Sequence, residues 1–190
     1  MSMDFAGKQI MIDKLGSAVN GDCPRAITDC LRDALCELMN DDRVKLPDCV
    51  FSYEADHYAR RLLHQDDQLG YTIMAMTWGP GQSTPVHDHA GMWCVEAVWH
   101  GVIEVVQYEL VERSNDRFRL EPRTTMRTGV GSAGSLIPPH EYHTIANPDQ
   151  KNPAVTIHIY AGEMDQCCVF DPLESDWYQR KSRHLSLDAA

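Results

Sequence analysis

The hydrophobic pattern of this chain changes character near residue 50. Between Pro24 and Met39 the apolar residues Ile27, Leu31, Ala34, Leu35, Leu38 and Met39 recur at helical spacing. An amphipathic helix is predicted there, with Asp22 as its cap and Pro24 in its first turn. A second, shorter helical segment is predicted over 52–56. Beyond it the apolar positions fall into short runs separated by turn residues, and strands are predicted over 58–63, 71–78, 92–99, 102–110, 118–121, 135–137, 155–160 and 169–171. Many short strands joined by glycine- and proline-rich turns predict a mostly β fold, a closed barrel or jelly roll, with the N-terminal α-helices packed outside it. No repeat or linker-like stretch interrupts the pattern, so one domain is expected over 1–190, helical over 1–50 and barrel over 51–175.

Composition narrows the function classes. A chain of 190 residues with 43% hydrophobic content can bury one real core. A formal net charge of −11 removes the attraction on which non-specific binding to nucleic acid or anionic membranes depends, so neither partner is expected. The apolar runs are too short for a signal peptide or a membrane span, which points to the cytoplasm. Seven cysteines, an odd number without a CxxC spacing, read as reduced thiols. A monomer or small homo-oligomer is expected.

The candidate chemistry concentrates between Gly81 and His89, where His87 and His89 stand at i and i+2. On a strand that spacing turns both imidazoles to one face, within reach of one metal ion. The pattern G-x5-H-x-H resembles the first cupin motif, and Gly101 falls where that motif's closing glycine belongs. Downstream, the stretch from Pro138 to Asn147 resembles the second motif and makes His143 the third ligand, with His140, in place of the usual glycine, as its nearest competitor. The glutamate that many cupins carry just beyond the paired histidines is replaced here by Trp93 and Cys94. Asp88 is expected to point away from the metal, and Glu96 lies beyond the cupin glutamate position. Three neutral histidines leave a metal its full positive charge and open coordination positions, which favours an anionic ligand such as a thiolate. Imidazole suits zinc, copper, nickel and iron alike.

From Tyr58 to Phe170 the chain resembles the cysteine dioxygenase family of thiol dioxygenases. The family's three histidines correspond to His87, His89 and His143, and the segment Thr156, Ile157, His158, Ile159, Tyr160 resembles its S-x-H-x-Y stretch. The resemblance implies one Fe(2+) per chain, and a small carboxylate-bearing thiol and O2 as substrates, both oxygen atoms passing to sulfur to give a sulfinate. His158 and Tyr160 are implied to act beside the iron. Cys94 occupies the place of a cysteine that animal members join to that tyrosine by a thioether, and here either a thioether or an unlinked buried thiol is open. An arginine in the segment around Tyr58 is implied to take the substrate carboxylate. Arg60 fits by position, although a one-residue slip would bring Arg61 inward instead. L-cysteine is the expected substrate, with mercaptosuccinate and 3-mercaptopropionate as alternatives; a second substrate carboxylate would need Arg61 or Arg127. Two other classes stay open: another metal-dependent cupin enzyme using the same histidines, and a non-catalytic metal-binding cupin.

Overall fold

The computed structural model describes residues 3–189. Two helices lead the chain, α1 (Lys8–Ala18) and α2 (Pro24–Met39), followed by a short 3-10 turn at Asp48–Phe51. Eleven strands follow among the described residues: β1 (Ala59–Asp66), β2 (Tyr71–Trp78), β3 (Val86–His87), β4 (Cys94–His100), β5 (Val102–Ser114), β6 (Arg117–Gly129), β7 (Ala133–Leu136), β8 (His143–Ala146), β9 (Ala154–Tyr160), β10 (Gln166–Pro172) and β11 (Trp177–His184). They form a five-stranded antiparallel sheet in the order β1-β2-β9-β4-β7 and a closed ring of β10, β11, β6, β5, β8 and β3. The mostly β barrel with helices outside is the architecture the pattern predicts.

Alternation along the five-stranded sheet separates two apolar layers. Ile73, Ala75, Val95, Ala97, Val155, Ile157 and Ile159 face outward and pack against Met11 and Leu15 of α1 and Leu31, Leu35 and Leu38 of α2. Met74, Met76, Trp78, Cys94, Val98, Leu136 and Tyr160 face inward, toward Ile103, Val105 and Ile145 of the opposite wall. Strands β2 and β9 are therefore buried throughout. The Arg32 Nε–H donates to the Ala133 carbonyl at 3.3 Å and ties α2 to β7. Gly101 closes the β4–β5 turn at φ 77°, where an added Cβ would come within 3.0 Å of Ala154, so both conformation and space require glycine.

Several expectations are corrected. The cap of α2 is Cys23, in extended conformation and without a side-chain cap bond; Asp22 lies one residue too early. Residues 52–56 are not helical, because they are exposed and offer no apolar face to bury; the turn that forms there precedes them, entered from Pro47 at φ −60°. Helix α1 has only Met11, Leu15 and Gly16 buried, too thin a stripe to stand out as a helical period. Strand β3 is two residues long, and β11, largely polar, lies C-terminal to the expected barrel span and pairs with both β10 and β6. Leu35 is fully buried between α2 and the sheet. Leu35→Ala is expected to cost about 2–5 kcal/mol in urea unfolding; a loss below 1 kcal/mol would show that the helical layer is not part of the cooperative core.

Candidate metal centre and substrate pocket

Strand β3 pairs with β8 at one position, His87 opposite His143, which brings the two rings to 4.3 Å between centroids. The chain leaves β3 immediately afterwards. Asp88 accepts the backbone N–H of Ala90 at 3.1 Å and of Cys168 at 2.8 Å, turning its carboxylate away from the imidazoles. The loop it braces brings the His89 ring to 5.3 Å from His87 and 5.0 Å from His143. The three histidines offer ligand atoms within 4.8 Å of one another and are the one such group of three or more among the described residues. His140 is exposed and lies outside the group.

The donor set fits a metal. His87 Nδ1 lies 3.1 Å from the Pro85 carbonyl and His143 Nδ1 lies 3.0 Å from the Glu141 carbonyl, so each Nδ1–H donates to backbone and each Nε2 keeps its lone pair. His143 Nε2 and His89 Nδ1 are buried with no hydrogen-bond partner among the described residues. Burial lowers all three histidines, with His89 and His143 driven well below the ordinary value by burial and the neighbouring imidazoles. Neutral imidazoles with orphaned lone pairs are what metal binding requires.

Beside this group a hydrogen-bond chain runs along β9. The Trp78 Nε1–H donates to Thr156 Oγ1 at 2.8 Å, Thr156 Oγ1 lies 2.8 Å from His158 Nε2, and His158 Nδ1 lies 3.3 Å from the Tyr160 hydroxyl. A threonine hydroxyl that accepts from Trp78 still has its own O–H to donate to Nε2; in that arrangement Nδ1 carries the ring proton and the phenolic O–H is left to donate elsewhere. Burial pushes His158 down to about 3 and Tyr160 well above 10.0, so the imidazole is neutral and the phenol protonated. Cys94 lies directly opposite Tyr160 in the β4–β9 register, and burial raises its thiol.

Alternation on β1 separates the two arginines. Arg60 faces inward, lining a small cavity of about 20 Å³ with Tyr58, His87 and Tyr160. Its guanidinium donates to the Met164 carbonyl at 2.7 Å and the Ser186 carbonyl at 3.0 Å. Arg61 turns to the other face, donating to Thr77 Oγ1 at 3.0 Å and the Ala189 carbonyl at 3.3 Å. Tyr58 stacks on Trp78 at 4.7 Å. Arg127 is exposed on β6.

Three features of the site escape the sequence pattern. Thr156 links Trp78 to His158. Glu96, on the inward face two residues beyond Cys94, is buried with Oε2 at 3.8 Å from His143 Nε2 and 3.7 Å from His158 Nδ1, and burial raises it to about 7. The C-terminal residues strap the β1 edge: Arg60 N–H donates to Asp188 Oδ2 at 2.8 Å and Asp188 N–H to the Arg60 carbonyl at 2.8 Å. The signal for Glu96 was its i+2 spacing from Cys94; for the polar strap none was present.

The family description "Cysteine dioxygenase type I" matches residues 47–173, more than half of the chain. The chain belongs to the cysteine dioxygenase type I family. Relatives in the family include cysteine dioxygenase type 1 of Rattus norvegicus, 25% identical over 164 residues, and of Homo sapiens, 24% identical over 164 residues; each alignment covers 78% of this chain and 80% of the relative. Among solved structures, a protein from Thermus thermophilus is 19% identical with a TM-score of 0.48 over 63% of this chain and 96% of that one. Oxalate oxidase in complex with glycolate is 16% identical with a TM-score of 0.47 over 65% and 63%. Family membership establishes the coarse activity, that of a dioxygenase acting on a small thiol with O2. No helix among the described residues is long and apolar enough to cross a membrane.

The strap carries a pH-dependent clamp. His57 lies 2.9 Å from Asp188 and 2.7 Å from Asp56, and hydrogen bonds to Asp188 first and Asp56 second raise it above 6.5. A raised folded-state value means this contribution is complete below the unfolded value and lost as pH rises through the folded one. The stability difference between wild type and His57→Gln, from urea titrations, is therefore expected to shrink as pH rises through neutrality. A difference that grows with pH contradicts the clamp.

Proposed function

We propose that the protein is an Fe(2+)-dependent thiol dioxygenase that oxidises a small carboxylate-bearing thiol, L-cysteine first, to its sulfinate. The observation that carries the reading is the clustering of three neutral histidines, two of them with an orphaned nitrogen, beside a pocket where His87 meets an inward arginine and a protonated tyrosine. His87, His89 and His143 hold one iron per chain. Iron is favoured over other metals that imidazole accepts because the family chemistry is redox chemistry at sulfur. When bound, iron supplies the redox step in which thiolate and O2 combine, both oxygen atoms joining the sulfur. The seven free cysteines support a reducing, cytoplasmic setting.

The chain's own residues orient and exclude. Arg60 and Tyr58 receive the substrate carboxylate, the planar guanidinium suiting a carboxylate by its paired N–H groups. Tyr160 donates its O–H toward the reacting sulfur or oxygen, and the neutral His158, locked by Thr156 and Trp78, keeps that proton pointing inward. The apolar inward layer of Met74, Met76 and Val98 limits water around the site.

Cys94 and Tyr160, opposite in register and both protonated, are poised for a thioether. Its formation joins Cys94 Sγ to the Tyr160 ring and releases the thiol proton, one ring proton and two electrons in all, which together reduce O2 to hydrogen peroxide. Turnover of the iron-loaded protein is expected to lower its intact mass by those two hydrogens, and Cys94→Ala to abolish the change; an unchanged wild-type mass leaves Cys94 an unlinked thiol.

Oxygen uptake by iron-loaded protein is expected with L-cysteine in preference to 3-mercaptopropionate and mercaptosuccinate, with sulfinate identified by mass spectrometry. Tyr160→Phe is expected to lower kcat by about 10²-fold or more, in the range of a lost positioned proton donor, with iron content unchanged. No uptake with any thiol, despite bound iron, would move the assignment to another cupin chemistry.

A further inference from the structure

Arg60 is held at three points by the segment that follows β11 and by the β9–β10 turn. Its backbone N–H donates to Asp188 Oδ2 at 2.8 Å, and its carbonyl accepts the Asp188 N–H at 2.8 Å. Its Nη1 donates to the Ser186 carbonyl at 3.0 Å and its Nη2 to the Met164 carbonyl at 2.7 Å. The Leu185 N–H donates to the Asp165 carbonyl at 2.8 Å, which joins the segment to the turn that carries Met164. The second oxygen of Asp188, Oδ1, lies 2.9 Å from His57 Nε2.

These ties meet at one pocket. Arg60, Met164 and Leu185 line the same small cavity as His87 and Tyr160. Arg60 Nε is buried with no hydrogen-bond partner among the described residues. A donor on a charged group left open in the wall of a pocket calls for an acceptor that a ligand brings, and a carboxylate is the acceptor a guanidinium suits best.

We propose that Asp188 is a positioning residue for the substrate carboxylate: by clasping the Arg60 backbone it keeps the Ser186 carbonyl against the guanidinium and presets the arginine to receive the anion. The assignment rests on the thiol dioxygenase reading and adds to it a residue that acts through Arg60. An unheld arginine side chain spreads over many rotamers, and ordering it at the moment of binding costs affinity. With two of its nitrogens already engaged by carbonyl oxygens, that ordering is completed on folding. The carbonyls do this without neutralising the charge, so the guanidinium stays both fixed and cationic.

The test is anaerobic calorimetry on iron-loaded protein with L-cysteine and with cysteamine, the same thiol without its carboxylate. Wild type is expected to bind L-cysteine more tightly. Asp188→Ala, which removes both side-chain contacts, is expected to weaken L-cysteine about tenfold and to leave cysteamine within about twofold, with iron content unchanged, because Leu185 keeps its own tie to Asp165. Asp188→Asn, which keeps an oxygen for the Arg60 N–H, is expected to recover most of the affinity. Hydrogen exchange at the Arg60 amide reads the clasp directly and is expected to quicken in the alanine variant. Equal loss for both thiols, no loss for L-cysteine, unchanged exchange at Arg60, no recovery in Asp188→Asn, or loss of iron would each overturn the proposal. Wild type with no preference for L-cysteine removes the carboxylate contact at Arg60 and the role of Asp188 with it. Oxygen uptake by wild type is scored separately: binding of L-cysteine that depends on Asp188, without uptake, removes the dioxygenase reading while the positioning role stands.

Discussion

Strand β9 has no solvent face, and the placement of the site depends on that constraint. Its odd-numbered residues Val155, Ile157 and Ile159 fill the layer under the helices, so its even-numbered residues Thr156, His158 and Tyr160 must point into the barrel. A one-residue slip would drive three polar side chains into the helical layer and three aliphatic ones into the site, which makes the register strongly specified. Pairing with β2 on one side and β4 on the other then aligns Met74 and Glu96 with His158, and Thr72 and Cys94 with Tyr160. The hydrogen-bond chain from Trp78 to Tyr160 is thus a by-product of apolar packing on the opposite face. Its order comes from the core, which is why the imidazole and phenol are held without a charged group to orient them.

Burial also decides the protonation of the site. Each titratable group that lines it is pushed toward its neutral form: the histidines downward, and Glu96, Cys94 and Tyr160 upward. Neutral imidazoles offer lone pairs, and a protonated phenol offers a donor. Arg60 is the exception, since a guanidinium keeps its charge in any protein setting. It is carried by carbonyl oxygens of Met164 and Ser186 instead of a carboxylate. Carbonyl partners satisfy part of its N–H set without neutralising it, so the positive charge stays available to an incoming anion.

Much of this was legible in the residues. The i, i+2 histidines, the second motif ending in Asn147 and the β9 alternation are short-range patterns, and short-range patterns survive folding. Asn147 itself is buried and donates to the carbonyls of Trp78, Gly79 and Asn152, closing the end of β2 over the loop that leads to the histidines. What the pattern did not carry was long-range. His89 arrives by a loop braced on Cys168, eighty residues away, and not along a strand. The choice between Arg60 and Arg61 follows from pairing with Met76 and Ala75, which no local period encodes. The C-terminal strap is polar and joins a sheet edge through one side chain and one backbone pair, so it leaves no hydrophobic signature.

The position of the acidic residue on β4 ties these threads together. Cys94 stands where many cupins carry a glutamate, and here the carboxylate lies two residues further along the same face, about 7 Å deeper by strand rise. That shift takes it out of the ligand group while leaving it 3.8 Å from the inward nitrogen of His143. An ion held by three neutral histidines keeps its full charge and an open position for a thiolate, which a fourth, anionic protein ligand would weaken on both counts. Burial raises the displaced carboxyl to about 7, so it stands beside the histidines without adding a fixed anion to the ligand group. Glu96 opens on a cavity that shares no lining residue with the one formed by Arg60, His87 and Tyr160, and the β4 register is what sets that separation.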